Sequence, residues 1–330
     1  MARLSENPEY GFAVGRVRAL ETALFDRARY ERLIRAPGVR EFVASLAETA
    51  YSRFLEGGTT DVPQALDKAT VESVAFLAQY ALDRWLLDLF RLPAAFLGLK
   101  TAFKNSLSHN GPEFTIPDEL ASPKFASRVD AVVAEVTASF EKERDSAAVD
   151  VVVDRLMQEL QLQTAEPSEF MIEYLGLHAD LENLRTLVRI KAQLGGGGDP
   201  RRDMGAAYLP GGRLALTDFA ATIAEPWDAV VDRFAKAPPH GAGSEVFFEY
   251  LEQGTAAVVD KRSFARMERY GREMELGYLR QTRYATFGYE PLVTYFLLQR
   301  NEVRNLRQLH AAKLAGVAEE IAQELVAYVE

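Results

Sequence analysis

One helical pattern is written twice in this chain, and it limits what the chain can fold into. The clearer copy is Asp180-Leu181-Glu182-Asn183-Leu184-Arg185-Thr186-Leu187-Val188-Arg189-Ile190-Lys191. The other runs from Glu302 through Asn305, Leu306, Arg307 and Leu309 to Lys313. Both read acid, two residues, Asn-Leu-Arg, one residue, Leu, three residues, Lys. A worn copy starts at Asp83, with Leu86 in the place of Asn, Leu87 and Phe90 in step, and Ala94 in the place of Lys.

Helix geometry makes the pattern unusual. With Asn183 at zero and about 100° per residue, Asp180 lies at roughly 60°, Leu184 at roughly 100°, Leu187 at roughly 40° and Lys191 at roughly 80°. Acid, amide, leucines and lysine therefore share one face, and Arg185 falls on the far side. An ordinary amphipathic helix keeps charge off its apolar stripe. Here an acid opens the stripe and a lysine closes it, both favourable to the helix dipole. Asp180 and Lys191 stand about 16 Å apart along the axis, too far to pair with each other. Each needs a partner from another helix or a route to water. The plain expectation is a packing helix with a structural polar clamp, made by Asp180, Asn183, Leu184, Leu187 and Lys191 and again by Glu302, Asn305, Leu306, Leu309 and Lys313. The alternative is a ligand site built from the same groups. Repetition favours the clamp, because a site is seldom copied into each unit.

The rest of the chain reads as helix almost throughout, an all-α fold. Expected helices run from Tyr10 to about Ile34, from about Val39 to Leu55, from Val62 through the worn copy to a bend or end at Pro93, and over about 120–144 and 146–163. Residues 105–118 read as a loop, with Asn110-Gly111-Pro112 and Pro117 as punctuation. Another helix, opened by Pro167, leads into the clear copy. Residues 217–236 are helical with an interruption at Pro226, and about 244–329 with breaks near Gly288, Pro291 and Gly316. Phe42-Val43-Ala44-Ser45-Leu46-Ala47-Glu48 resembles Phe219-Ala220-Ala221-Thr222-Ile223-Ala224-Glu225. One domain over 1–330 is therefore expected, made of three pseudo-repeated helical units at about 10–105, 118–200 and 214–330.

Other chemistry is thinly supported. The net charge of -10 argues against nucleic acid as the main partner. Cysteine is absent, which removes disulfides and thiolate metal sites. No apolar run reaches the ~18 residues of a membrane helix, and the first residues lack the core of a signal peptide. The Gly195–Gly198 run before Asp199-Pro200-Arg201-Arg202 suggests a phosphate cradle. But no strand precedes it and no Gly-Lys-Ser/Thr ending follows, so a helix terminator and connector is the better reading. His109, His178, His240 and His310 show no ligand spacing, and no Gly-x-Ser-x-Gly elbow occurs. Arg262, Arg266, Arg269 and Arg272 form a basic stripe, either a solvated face paired with Glu268 and Glu273 or a contact strip for an acidic partner. No catalytic, cofactor or metal residue is assigned.

Four stretches, taken in order, resemble the C subunit of bacterial and archaeal V/A-type ATPases, equivalent to the d subunit of the eukaryotic vacuolar enzyme. They are Tyr10-Gly11-Phe12-Ala13-Val14-Gly15-Arg16-Val17-Arg18-Ala19, Asp180 through Arg185, Leu209-Pro210-Gly211-Gly212-Arg213-Leu214, and Glu290-Pro291-Leu292-Val293-Thr294-Tyr295 leading to Asn301 through Arg307. The resemblance covers essentially the whole chain. It departs at Val14, where the family usually carries Asn, and at Leu86. It implies three similar three-helix units arranged as a funnel or socket. It also implies a non-catalytic rotor part on the cytoplasmic side of the membrane proteolipid ring, with its socket around the end of the central shaft, the D and F subunits. Rotation would then couple ATP hydrolysis or synthesis to proton or sodium transport, and no cofactor, nucleic acid or small-molecule substrate belongs to such a rotor part. The other expectation kept open is a different soluble helical scaffold.

Overall fold

The computed structural model describes residues 2–55, 61–108, 120, 125–143, 146–194 and 199–328, and among these there are helices and no strand. Gly57-Gly58, His109, the Asn110-Gly111-Pro112 loop, Pro117 and the Gly195–Gly198 run lie outside the described residues. Contacts gather into two compact units, one formed by Arg3–Leu82 with Ala242–Glu330, the other by Asp83–Gly241.

In the first unit a 3-10 turn, Pro8–Tyr10, leads into α1 (Gly11–Glu21). The single helix expected from Tyr10 to Ile34 is broken there, and α2 is Arg27–Arg35. Two bonds explain the break. Asp26 caps the new helix by accepting from the Arg29 N–H, and the Phe25 N–H is taken by Glu302. α3 (Val39–Ala47) is likewise shorter than expected, because Thr49 starts a separate 3-10 turn, Ala50–Phe54. α4 (Val62–Tyr80) begins at an Asp61 cap with Pro63 in its first turn. It does not continue into the worn copy, since the chain turns at Ala81–Asp83 and the Leu82 N–H donates to the Tyr10 hydroxyl.

The second unit opens with α5 (Arg84–Ser108), which continues past Pro93 rather than ending there and takes in the start of the expected loop. α6 (Ala126–Glu143) and α7 (Ser146–Thr164) follow. Leu92, Phe96, Leu99 and Phe103 of α5 share a buried core with Val129 and Val136 of α6 and Val149, Val153, Leu156 and Leu160 of α7. That burial outweighs the backbone bond that Pro93 cannot make. α8 (Glu169–Ala192) starts at a Ser168 cap, and α9 (Pro200–Ala207), α10 (Leu216–Thr222) and α11 (Asp228–Phe234) complete the unit.

The chain then returns to the first unit. α12 (Ser244–Lys261) ends on Arg262, whose φ of 54° is left-handed, so a turn separates it from α13 (Ala265–Leu279) inside a stretch expected to be continuous. α14 (Glu290–Leu314) and α15 (Glu319–Leu325) close the chain. Leu306 and Leu309 of α14 share one core with Leu33 and Ile34 of α2, Phe42 and Leu46 of α3, Leu66 of α4 and Ala322 of α15.

Candidate functional site

The two patterned helices are α8 and α14, and their polar groups grip backbone. On α8 the Asp180 carboxylate accepts from the Arg213 N–H at 2.8 Å and the Leu214 N–H at 3.0 Å. The Asn183 amide makes a two-way bond with one residue, donating to the Leu209 carbonyl at 2.9 Å and accepting from the Leu209 N–H at 2.8 Å. The Lys191 ammonium donates to the carbonyls of Thr222, Ile223 and Glu225 at the end of α10, and sits 5.2 Å from the centre of the Trp227 ring. Asp180, Asn183, Leu184, Leu187 and Lys191 are all buried.

The loop that meets α8 is shaped for close approach. A Cβ on Gly212 would lie 2.0 Å from an Asp180 oxygen, and a Cβ on Gly176 would lie 2.6 Å from the Gly211 carbonyl oxygen. Gly211 also has a φ of 96°, so the adjacent glycines let the chain bend over the carboxylate. Gln158 of α7 ties the same place from behind, donating to the carbonyls of Leu175 and Pro210. Burial raises Asp180 from its ordinary 3.8 to about 6, against the pull of the Leu214 and Arg213 N–H groups. Burial lowers Lys191, and Glu225 opposes that shift.

On α14 the same three positions do the same three jobs. Glu302 accepts from the Phe25 N–H and, at 2.9 Å, from the Tyr51 hydroxyl. Asn305 donates to the Ala327 carbonyl at 2.7 Å and accepts from the Ala327 N–H at 3.4 Å. Lys313 donates to the Ile34 carbonyl in the last turn of α2. Glu302, Asn305, Leu306 and Leu309 are buried. Burial raises Glu302 from 4.5 to about 7, with the Phe25 and Tyr51 bonds pulling the other way. In each copy the acid holds the extended entry to a short helix, and the lysine caps that helix's carbonyl end. By this bonding α10 plays the part of α2. The sequence likeness of Phe219–Glu225 to Phe42–Glu48 points one helix further on, to α3.

Apart from the Tyr51 hydroxyl, the groups that bond the clamp are main-chain groups, where opposite charges are the natural expectation for buried ions. Sequence alone does not name Leu209, Ala327 or Phe25, because any residue carries a peptide group. The adjacent glycines at 211 and 212 are the readable signal. Two further residues of the resemblance prove to be internal braces. Arg18 donates to the carbonyls of Thr282 and Ala285, and Glu290 accepts from the Ser5 N–H at 2.6 Å. In the worn copy the buried positions are Leu86, Leu89 and Leu92, while Leu87 and Phe90 are half-buried and Ala94 is exposed, so no clamp forms from that register. Asp199 spends its carboxylate on the Arg201 and Arg202 N–H groups, the place a phosphate would need at the start of α9.

Three of the four arginines of the basic stripe lie beside acids, and Arg262 is exposed. Arg262 stands off the helix as its left-handed cap. Arg266 pairs with Glu324, Arg272 with Glu275 at 2.6 Å, and Arg269 approaches Glu273 at 3.9 Å while lying over the Tyr270 ring. Among the described residues no three His, Asp or Glu side chains converge as metal ligands.

Comparison with known proteins agrees with the four-stretch resemblance. The family model described as ATP synthase (C/AC39) subunit matches residues 13–325. The chain is also similar to the C subunit of the A-type ATP synthase of Halorubrum lacusprofundi, at 25% identity over 98% of each chain. The matched span contains both clamps, so the chain belongs to the ATP synthase (C/AC39) subunit family.

Proposed function

We propose that this chain is the non-catalytic central-stalk subunit of a V/A-type ATPase or ATP synthase, one that moves protons or sodium ions. It joins the shaft made by the D and F subunits to the proteolipid ring, on the cytoplasmic face of the membrane, and passes rotation between them. Membership of the family over residues 13–325 carries the reading. The clamps support it. A part that transmits torque must keep its helices in register, and a buried amide or ammonium with every bond satisfied does that better than apolar contact alone. No described helix is long and apolar enough to cross a membrane, so in this role the chain meets the membrane sector through its protein partners. The two clamps also support the pseudo-repeat reading, in which α8 and α14 close equivalent units and the third clamp, at Leu86, has been lost.

Co-purification in mild detergent tests the role. The tagged protein is expected to bring down the proteolipid ring and the D–F shaft, and capture of neither sinks the reading in favour of an unrelated helical scaffold. Removing it from the assembled enzyme is expected to leave ATP hydrolysis in the head while ion pumping into vesicles stops. Pumping retained without it would contradict the adapter role.

A further inference from the structure

Within the first unit, the outer face of α1 carries a trough floored by Gly15. This residue is exposed, and a Cβ built on it would meet no atom within 4 Å. A glycine inside a helix costs about 1 kcal/mol against alanine, and no contact within the chain requires one there. One side of the trough is the segment from Arg280 to Gly288, which runs antiparallel to α1 and is tied at both ends. Arg18 donates to the carbonyls of Thr282 at 2.7 Å and Ala285 at 3.0 Å, and the Gly288 N–H donates to the Asn7 carbonyl at 3.1 Å. The Phe287 ring lies 3.8 Å from where a Gly11 Cβ would stand. The other side is the row of Phe12 and Arg16. At about 100° per residue, Gly15 falls between Gly11 and Phe12 round the helix, roughly 40° from one and roughly 60° from the other. Phe12 is 72% exposed, Tyr284 84% and Phe287 46%. They are held without being covered, Phe12 by the Tyr80 ring at 6.0 Å between centres and Tyr284 by the Arg283 guanidinium over its face. Arg16, Arg280 and Arg283 are exposed too, and among the described residues no acid pairs with any of them. Glu21 is bonded to Arg18, and the exposed Glu9 precedes Phe12 by one turn, beyond the opposite end of α1 from Arg18.

We propose that this trough is where the end of the central shaft docks, through a helix that brings acidic side chains to the arginines. The inference rests on the stalk role proposed above and gives one of its two partners a place on this chain. Tyr, Phe and Arg are the residues enriched where proteins bind one another. Aromatics already fixed in position lose little freedom on binding. A partner helix can bring its backbone close to α1 only where a side chain is missing, and Gly15 supplies that opening. Gly277 repeats the feature on α13, since it is exposed, stands one turn before Arg280 and has no atom within 4 Å of its Cβ position. Charge decides between the partners. The cytoplasmic loops of membrane proteins carry an excess of Lys and Arg, so the proteolipid ring would repel these arginines. An anionic lipid surface would attract them but repel the chain as a whole, whose net charge is -10. A soluble acidic helix meets neither objection.

Titration calorimetry of the full chain with the purified D–F shaft tests the idea, with capture of the proteolipid ring measured alongside. The wild-type chain is expected to bind the shaft, and more weakly as salt rises. Arg16→Glu combined with Arg283→Glu is expected to weaken shaft binding at least about tenfold, and Phe12→Ala combined with Tyr284→Ala to do the same. Gly15→Leu separates docking from folding. It improves helix propensity and meets no neighbour, so this variant is expected to melt no lower than wild type while binding the shaft at least about tenfold more weakly. Ring capture is expected to persist in every variant. Undiminished shaft binding in Gly15→Leu or in the charge reversal would overturn the docking site and leave the stalk role standing. So would a wild-type chain that captures the ring and not the shaft. A wild-type chain that binds neither would remove both readings. Loss of the ring with the shaft retained would assign the trough to the ring. Binding to phosphatidylglycerol vesicles that the same variants abolish, with shaft binding unaffected, would assign it to lipid, and either result overturns the proposal.

Discussion

Asn183 and Asn305 each serve a peptide group that no helix supplies with a partner. Replacing either with Leu strands a buried N–H and a buried carbonyl, which costs about 2–4 kcal/mol. Denaturant unfolding is expected to show losses of that size for Asn183→Leu and for Asn305→Leu, and an unchanged midpoint in both would refute the clamp. Glu302 makes a different demand. Its folded value lies near 7 and its ordinary value at 4.5. Below 4.5 both states hold the proton. Between 4.5 and about 7 the unfolded chain gives up a proton that the folded chain keeps, so stability falls as pH rises through that window. The full effect is on the order of 3 kcal/mol. Asp180, raised to about 6, acts in the same direction. The wild-type chain is therefore expected to melt higher at the acid end of this window than above neutrality, and Glu302→Gln to flatten the dependence. A melting temperature that climbs from acid to neutral pH would contradict this account.

At the scale of elements, the clamps explain why short helices persist in this fold. α10 has seven residues, too few to be stable alone, and it is held at both ends by one longer helix. Asp180 fixes its entry and Lys191 its carbonyl end. The Leu209–Leu214 loop depends on the missing side chain at Gly212. Gly212→Ala places a carbon against the Asp180 carboxylate and is expected to cost at least about 2 kcal/mol. Hydrogen exchange should then quicken across α10 while α5–α7 stay protected. Uniform quickening of the whole chain would show that α10 is not a separately held element. Element boundaries are only partly legible in sequence. Caps at Asp26 and Thr49 mark real helix starts, but the pattern of apolar residues runs across them. The break after Arg262 has no glycine or proline to announce it.

On the scale of the whole molecule, α14 gathers both ends of the chain. Its Glu302 and Lys313 hold the segment from Phe25 to Ile34, and its Asn305 holds Ala327 near the C-terminus. Removing residues 318–330 is therefore expected to do more than fray an end. It uncovers Tyr30 and Leu309 and strips Asn305 of its partner, and the loss in denaturant unfolding should exceed about 3 kcal/mol. A truncated chain as stable as the full one would show that the C-terminal grip contributes nothing.

The all-helical class and the face shared by acid, amide, leucines and lysine followed from sequence, because helical periodicity is a local property of side-chain spacing. The family resemblance followed too, from four stretches whose glycines, prolines and arginines have fixed geometric uses. The partners of the buried charges were decided only in three dimensions. Asp180, Lys191, Glu302 and Lys313 look in sequence like ions awaiting counter-ions, and the fold answers most of them with peptide dipoles. A peptide group is the same at every residue, so no spacing rule could select Leu209, Ile34 or Ala327. Burial beside a neighbouring segment made that selection.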